Sequence, residues 1–109
     1  MTNAKKIELL SNPLPEPCSY IDYFYELFEK TGDIKYNYND YMTTAPINCN
    51  EELKRVATAD YDLCCALMTM LFREDHFAQY GCFDNRYRQG DVQPIIDRMV
   101  EILQRGEEE

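Results

Sequence analysis

The sequence contains no tryptophan, only one histidine (His76) and only four glycines among its 109 residues. A single histidine excludes a histidine pair or a multi-histidine metal site within one chain, and any cysteine–histidine couple would have to use His76. The glycines are isolated and match neither Gly-x-Gly-x-x-Gly nor a phosphate loop, so no nucleotide-binding motif is present. We therefore expect no catalytic residues, no cofactor and no bound metal.

Neither the cysteine spacing nor the length of the apolar runs indicates a metal, redox or membrane-spanning segment. The five cysteines form no Cys-x-x-Cys pair of the kind found in zinc and redox motifs. The chain begins without the basic and apolar segments of a signal peptide. No apolar run approaches the roughly 20 residues that cross a bilayer. These features predict a cytoplasmic protein in a reducing compartment, without membrane contact.

Acidic charge is the feature that the sequence has in excess. Twenty acidic and 11 basic residues give a formal net charge of −9. Such a field repels nucleic-acid backbones and attracts basic protein surfaces, so we expect a basic protein partner and no direct nucleic-acid binding. Ordinary solubility is the alternative explanation of the charge.

The size and the 45% content of hydrophobic residues suit one compact core. We divide the chain into a proline-rich lead-in arm (1–17), a single helical domain (18–105) and an acidic tail (106–109). Three prolines between positions 13 and 17 prevent a helix interior there, while a short helical or extended piece is expected around Ile7 to Leu10. The fold class that we predict is mainly α, with four or five helices and at most a short two-stranded element.

Helical spacing and capping residues place most of these elements. Ser19 suits the N-cap of a first helix that ends at Gly32 and carries an apolar stripe including Phe24 and Phe28. The alternation of Ile34, Tyr36 and Tyr38 predicts a short strand or an extended loop. Further helices are predicted at 51–57 with Asn50 as cap, from Asp60 or Asp62 to Glu74, between Gly81 and Gly90, and from Asp91 to about residue 105.

Two surface features are candidates for partner binding. Asp22, Glu26 and Glu29 recur at helical spacing opposite the apolar stripe, and we call them the acidic ridge. The second feature is the density of tyrosines near acidic residues, because tyrosine is enriched at interfaces. The predicted partner-binding residues are Asp22, Tyr23, Tyr25, Glu26, Glu29, Asp40 and Tyr41. The alternatives are a solvated helix face and rings that complete the core.

The C-terminal part carries a family resemblance. The segment Leu67-Met68-Thr69-Met70-Leu71-Phe72-Arg73-Glu74-Asp75-His76-Phe77 is followed by Gly81-Cys82-Phe83, Gly90-Asp91-Val92 and Ile95-Ile96-Asp97-Arg98-Met99. This pattern resembles a family of short bacterial and phage proteins catalogued as a domain of unknown function. It covers about the last 45 residues, with a weaker match upstream. The resemblance implies a bacterial or mobile-element origin and identifies no catalytic residues.

In size and acidity the chain also resembles anti-CRISPR proteins, which block the positively charged channels of nucleases. This resemblance implies an inhibitor whose acidic ridge and tyrosines occupy the channel of a CRISPR nuclease such as Cas9 in the bacterial cytoplasm. Two alternatives stay open. One is a self-associating accessory or structural protein that forms a homo-oligomer, and the other is a cryptic enzyme or ligand-binding domain that uses His76 with Glu74 and Asp75.

Overall fold

A computed structural model describes residues 2–11, 20–77 and 81–108, and within these ranges the chain is mainly helical, as predicted. The α-helices are α1 (Asn3–Ser11), α2 (Tyr20–Thr31), α3 (Cys49–Leu53), α4 (Tyr61–Phe77), α5 (Cys82–Gln89) and α6 (Gln93–Glu108), with two short 3-10 helices at Tyr38–Tyr41 and Val56–Thr58. The predicted count of four or five is too low for this part of the chain, because the segment assigned to the lead-in arm forms α1. No helix in the described ranges is long and apolar enough to cross a membrane.

Helix α4 lies at the centre of the fold. Every residue from 64 to 72 is buried, as expected for a helix that is apolar around most of its circumference. α3, α5, α6 and the first 3-10 helix all pack against it. At its start, the Leu63 amide donates a 2.7 Å hydrogen bond to Asp60 Oδ1. Of the two predicted caps, Asp60 is therefore the one used.

An aromatic cluster joins α2 and α5 to α4. Phe24 and Phe28 are buried on the predicted apolar face of α2. The ring of Phe83, on α5, is fully buried and lies 5.2 Å from Phe72 and 6.0 Å from Phe24, measured between ring centroids. These aromatic contacts fix the positions of the three helices that surround the candidate site described below.

Helix α1 lies along α6. α6 buries an apolar stripe that includes Ile95, Met99 and Leu103. It continues through Glu108, beyond the boundary proposed for the acidic tail. α1 is also tied to the rest of the fold by a 3.4 Å ion pair between Lys6 Nζ and Asp33 Oδ1. The prolines at 13, 15 and 17 and the predicted cap Ser19 lie outside the described residues.

The short strand predicted between residues 33 and 42 is wrong. Ile34 is buried, but Tyr36 is 76% exposed and the segment continues through a turn into the 3-10 helix Tyr38–Tyr41. The described residues contain no strand with which it could pair. Asn37, Asn39 and Asp40 belong to the residue types that are common in turns.

The buried carboxylate of Glu52 holds the loop that precedes α3. Glu52, on α3, has no exposed surface and accepts hydrogen bonds from the amides and hydroxyls of Thr43 and Thr44 and from Arg55. Burial opposes ionisation of Glu52, but these donors outweigh it and lower its pKa to about 2. The cap of α3 is Asn48, which accepts from the Glu51 amide at 3.1 Å, rather than the predicted Asn50.

Candidate functional site

A cavity of about 470 Å³ opens between α2, α4 and the start of α5. Its size falls in the range of small-ligand or side-chain binding pockets. The residues that line it are Ile21, Asp22, Tyr25, Phe72, Arg73, Asp75, His76, Gly81 and Asp84. It therefore combines aromatic surface with several ionisable groups from three helices.

Two of its carboxylates are held by amides at helix N-termini. Asp84 Oδ1 accepts a 3.1 Å hydrogen bond from the amide of Ile21, in the first turn of α2. Asp75, which is only 5% exposed, accepts a 3.0 Å hydrogen bond through Oδ2 from the amide of Phe83, in the first turn of α5. Each carboxylate satisfies an amide that has no partner within its own helix. These bonds fix the carboxylates in position at the cavity.

The remaining walls are aromatic and mixed in charge. The ring of Tyr25 meets that of Phe72 edge-on, with centroids 5.5 Å apart. Arg73 brings one guanidinium, which forms no ion pair within the described part of the chain. Asp22 and His76 are exposed at the cavity. Three carboxylates against one guanidinium leave the cavity acidic, with apolar surface beside the charges.

The acidic ridge continues from the cavity along α2. Asp22, Glu26 and Glu29 are all exposed, and Glu26 forms a 3.2 Å ion pair with Lys30, which is also exposed. Asp22 belongs both to the ridge and to the cavity, next to Tyr25. The ridge and the cavity thus form one continuous acidic surface, which we call the α2 surface.

The other predicted partner-binding residues lie elsewhere. The hydroxyl of Tyr23 donates to the Leu9 carbonyl oxygen at 3.3 Å, so this ring helps to hold α1 against α2. Asp40 is exposed and Tyr41 is half-buried on the first 3-10 helix, and neither lines the cavity. The Tyr41 carbonyl oxygen accepts a 2.7 Å hydrogen bond from Arg55 Nη1.

The alternative group of Glu74, Asp75 and His76 divides between two places. Asp75 and His76 line the cavity, whereas Glu74 forms a two-point ion pair with Arg86, with Nε–Oε1 and Nη2–Oε2 distances of 2.5 and 2.8 Å. Burial opposes ionisation of Glu74, but the hydrogen bonds from Arg86 and two thiols lower its pKa to about 2. Glu74 is therefore a charged ion-pair partner rather than a proton donor or acceptor near neutral pH.

Sequence reasoning missed the part that Asp84 and Arg73 take in the cavity. Asp84 is one of several acidic residues in its segment, and only the folded arrangement of α2 against α5 distinguishes it. Among the described residues, no group of three or more His, Cys, Asp or Glu side chains could hold a metal ion. Cys64 and Cys65 are fully buried, as the apolar character of α4 predicts, and burial raises the pKa of Cys64 to about 11.

One protein-family model matches this chain, over residues 2–105. Its description is "family of unknown function (DUF6508)". The match spans nearly the whole chain, whereas the sequence pattern indicates a resemblance mainly over the C-terminal part. No curated protein and no solved structure matches the chain.

Proposed function

This chain belongs to DUF6508, a family of unknown function, and we propose that it is a non-enzymatic protein-binding module whose α2 surface binds a basic surface on another protein. The observation that carries the proposal is the continuity of the exposed ridge with the cavity at Asp22. A ridge alone offers charge, whereas the cavity beside it offers a recess in which a partner side chain can be enclosed.

The chemistry of the α2 surface favours a basic partner. Carboxylates on the ridge attract positive charge over a distance of about 10 Å at moderate ionic strength. Within the cavity, the carboxylate of Asp84 and the ring of Tyr25 offer an arginine or lysine side chain both an ion pair and a cation–π contact. Arg73 opposes this attraction in part, so the exposed ridge supplies most of the net negative field.

The partner class that we propose is a bacterial defence nuclease of the CRISPR type, with Cas9 as an example. Such a nuclease holds its guide and target strands in a positively charged channel. An acidic module that occupies the channel would act as an inhibitor, in keeping with an origin in a phage or another mobile element. The support for this choice is the acidity and small size of the chain together with the α2 surface.

The test compares capture by the wild-type chain with capture by a charge-reversed ridge, Asp22→Lys, Glu26→Lys and Glu29→Lys. Each tagged protein is incubated with a nuclease-treated lysate that contains a CRISPR effector, washed at low and high salt, and analysed by mass spectrometry. We expect salt-sensitive recovery of the effector by the wild type and at least a tenfold loss in the variant, about 1.4 kcal/mol.

A matched control reverses three exposed carboxylates on other helices, Glu8→Lys, Glu51→Lys and Asp97→Lys, and so changes the net charge equally. This control should retain the partner. Equal loss in both variants would mean that net charge rather than the α2 surface governs recovery, and unchanged recovery by the ridge variant would refute the proposal. Recovery of the protein alone would favour self-association, which size-exclusion chromatography with light scattering measures directly.

A second candidate function is the binding of a small polar ligand. The observation that favours it is the presence of Arg73, Asp75 and His76 in the same cavity. A His76→Ala chain distinguishes the two functions. This substitution should weaken the binding of a small ligand in the cavity. The salt-sensitive binding of the ridge to a protein partner should persist.

A further inference from the structure

The binding of a basic partner does not account for the guanidinium of Arg73. This side chain is half-buried in the wall of the cavity and forms no hydrogen bond or ion pair in the described part of the chain. Asp22, Asp75 and Asp84 line the same cavity, yet none of their carboxylates lies within ion-pairing distance of the guanidinium. Opposite charges therefore share the cavity without contacting each other.

The two signs of charge come from different helices. Arg73 belongs to α4, whereas Asp22 is on α2 and Asp84 is on α5. The 3.1 Å hydrogen bond from the Ile21 amide places the carboxylate of Asp84 beside the backbone that carries Asp22. The junction of α2 and α5 thus supplies negative charge to the cavity, and α4 supplies the guanidinium.

The unpaired charges favour a ligand that carries both signs. A ligand with a single positive charge would be repelled by Arg73 and would leave it without a partner, while a ligand with a single negative charge would be repelled by the carboxylates. One molecule with a carboxylate and an ammonium group can pair with both sides of the cavity. Such charge-assisted hydrogen bonds are the strong ones in a partly enclosed site.

The apolar surface of the cavity favours an aromatic group on the same ligand. Ile21 and Tyr25 are half-buried in its wall, and the ring of Tyr25 is held edge-on against that of Phe72, with centroids 5.5 Å apart. Rings pack favourably against other rings in edge or offset contacts. A volume of about 470 Å³ is within the range of pockets that enclose small molecules.

We propose that the cavity binds a free α-amino acid with an aromatic side chain. Its carboxylate pairs with Arg73, its ammonium group pairs with Asp22 and Asp84, and its ring lies against Tyr25. The inference rests on the second candidate function, the binding of a small ligand, and names the class of that ligand. It makes no use of Glu26 and Glu29, the part of the acidic ridge outside the cavity.

The test titrates L-phenylalanine into the isotope-labelled full-length chain and follows the backbone amides by NMR. We expect saturable binding with a Kd below about 1 mM, with the largest shifts at the residues that line the cavity. Three analogues each lack one group: 2-phenylethylamine lacks the carboxylate, 3-phenylpropionate lacks the ammonium group and L-alanine lacks the ring. Each should bind at least about tenfold more weakly, because each leaves part of the cavity unpaired.

Two variants connect the charged groups of the ligand with residues of the cavity. Arg73→Gln should weaken the binding of L-phenylalanine and remove its advantage over 2-phenylethylamine. Asp84→Asn retains an oxygen that can accept from the Ile21 amide and should reduce the advantage over 3-phenylpropionate. Arg105→Gln, at an exposed position of α6, changes the net charge as Arg73→Gln does and should bind like the wild type. Circular dichroism checks that the variants are folded.

The wild-type comparison decides the inference even if a variant does not fold. No saturable binding of L-phenylalanine at roughly 10 mM, shifts confined to residues outside the cavity, or equal binding of L-phenylalanine and any of the three analogues would each overturn it. The titration needs no protein partner. Capture of an effector without binding of L-phenylalanine would therefore reject this inference alone, and binding of L-phenylalanine without capture would reject the protein-binding function alone.

Discussion

The carboxylate of Glu52 accepts two hydrogen bonds from Thr44, one from its amide at 2.9 Å and one from its hydroxyl at 2.6 Å. Together with the donors of Thr43 and the guanidinium of Arg55, these bonds surround a charge that has no exposed surface. The loop before α3 is therefore organised by a side chain that follows it in sequence. Buried charges of this kind are stable only when their hydrogen bonding is complete.

Replacing Glu52 with glutamine should strongly destabilise the protein. The amide keeps the shape, but its nitrogen faces donors of Thr43 and Thr44, and the ion pair with Arg55 is lost. We expect the free energy of unfolding to fall by about 3 kcal/mol in urea denaturation. Glu51→Gln, at an exposed position of the same helix, is the control and should cost less than about 0.5 kcal/mol. Equal stability of the two variants would show that the Glu52 contacts contribute little.

Acid should weaken the fold through Glu52 and Glu74. Both carboxylates have a pKa of about 2 in the folded protein, below the ordinary value of 4.5, so the unfolded chain binds protons first as the pH falls. Their contribution is complete above pH 4.5 and disappears as the pH falls towards 2. Each is worth on the order of 3 kcal/mol.

The measurement for this prediction is urea denaturation at several values of pH across that window. The Glu52→Gln chain should lose less stability over the window than the wild type, since it lacks one of the two titrating groups. The same dependence of the unfolding free energy on pH in both chains would contradict the assignment of this loss to Glu52.

Removing the hydroxyl of Tyr61 should loosen the attachment of α1. This hydroxyl donates a 2.6 Å hydrogen bond to Asp33 Oδ2, and Asp33 also pairs with Lys6 of α1. Tyr61→Phe preserves the ring, over which Lys6 Nζ lies 5.2 Å from the centroid. We expect a loss of about 1 kcal/mol in thermal or urea unfolding and faster amide exchange in α1. Tyr36→Phe, at a ring that is 76% exposed, should leave both quantities unchanged.

Replacing Phe83 with alanine should lower the free energy of unfolding more than the other substitutions proposed here. Its ring is fully buried between Phe24 and Phe72, so alanine would leave a cavity where α2, α4 and α5 meet. The expected loss is about 4 kcal/mol. If this variant does not fold, Phe83→Leu retains most of the volume and should show a smaller loss with the same sign. Stability equal to the wild type in both variants would mean that the three helices do not depend on this ring.

Helical periodicity predicted the parts of the fold that bury a continuous stripe. The apolar faces of α2 and α6 and the nearly all-apolar α4 could be predicted without knowledge of the elements that pack against them. The prediction of a strand at Ile34, Tyr36 and Tyr38 was wrong because alternation specifies a strand only when another strand is available for pairing. α1 was underestimated because its stability comes from α6 and Asp33, and neither contact is visible in its own weakly patterned sequence.

The candidate site was predictable only in its local part. Spacing along one helix places Asp22, Glu26 and Glu29 on one face, and all three are exposed. The cavity depends on contacts between residues distant in sequence, such as Asp84 with the Ile21 amide, which no local pattern encodes. Tyr23 and Tyr41 illustrate the same limit. Composition suggested that they lie at an interface, but their placement depends on contacts with Leu9 and Arg55, which are distant in sequence.

The packing of α1 along α6 brings residues near the two ends of the described chain together. A Cβ atom at Gly106 would lie only 2.8 Å from Asn3 Nδ2, so the helices approach closely at this point. Tags or domains fused at either end would therefore emerge from the same side of the molecule. A short linker between these ends would also permit circular permutation, with new termini opened in an exposed turn such as the one around Tyr36.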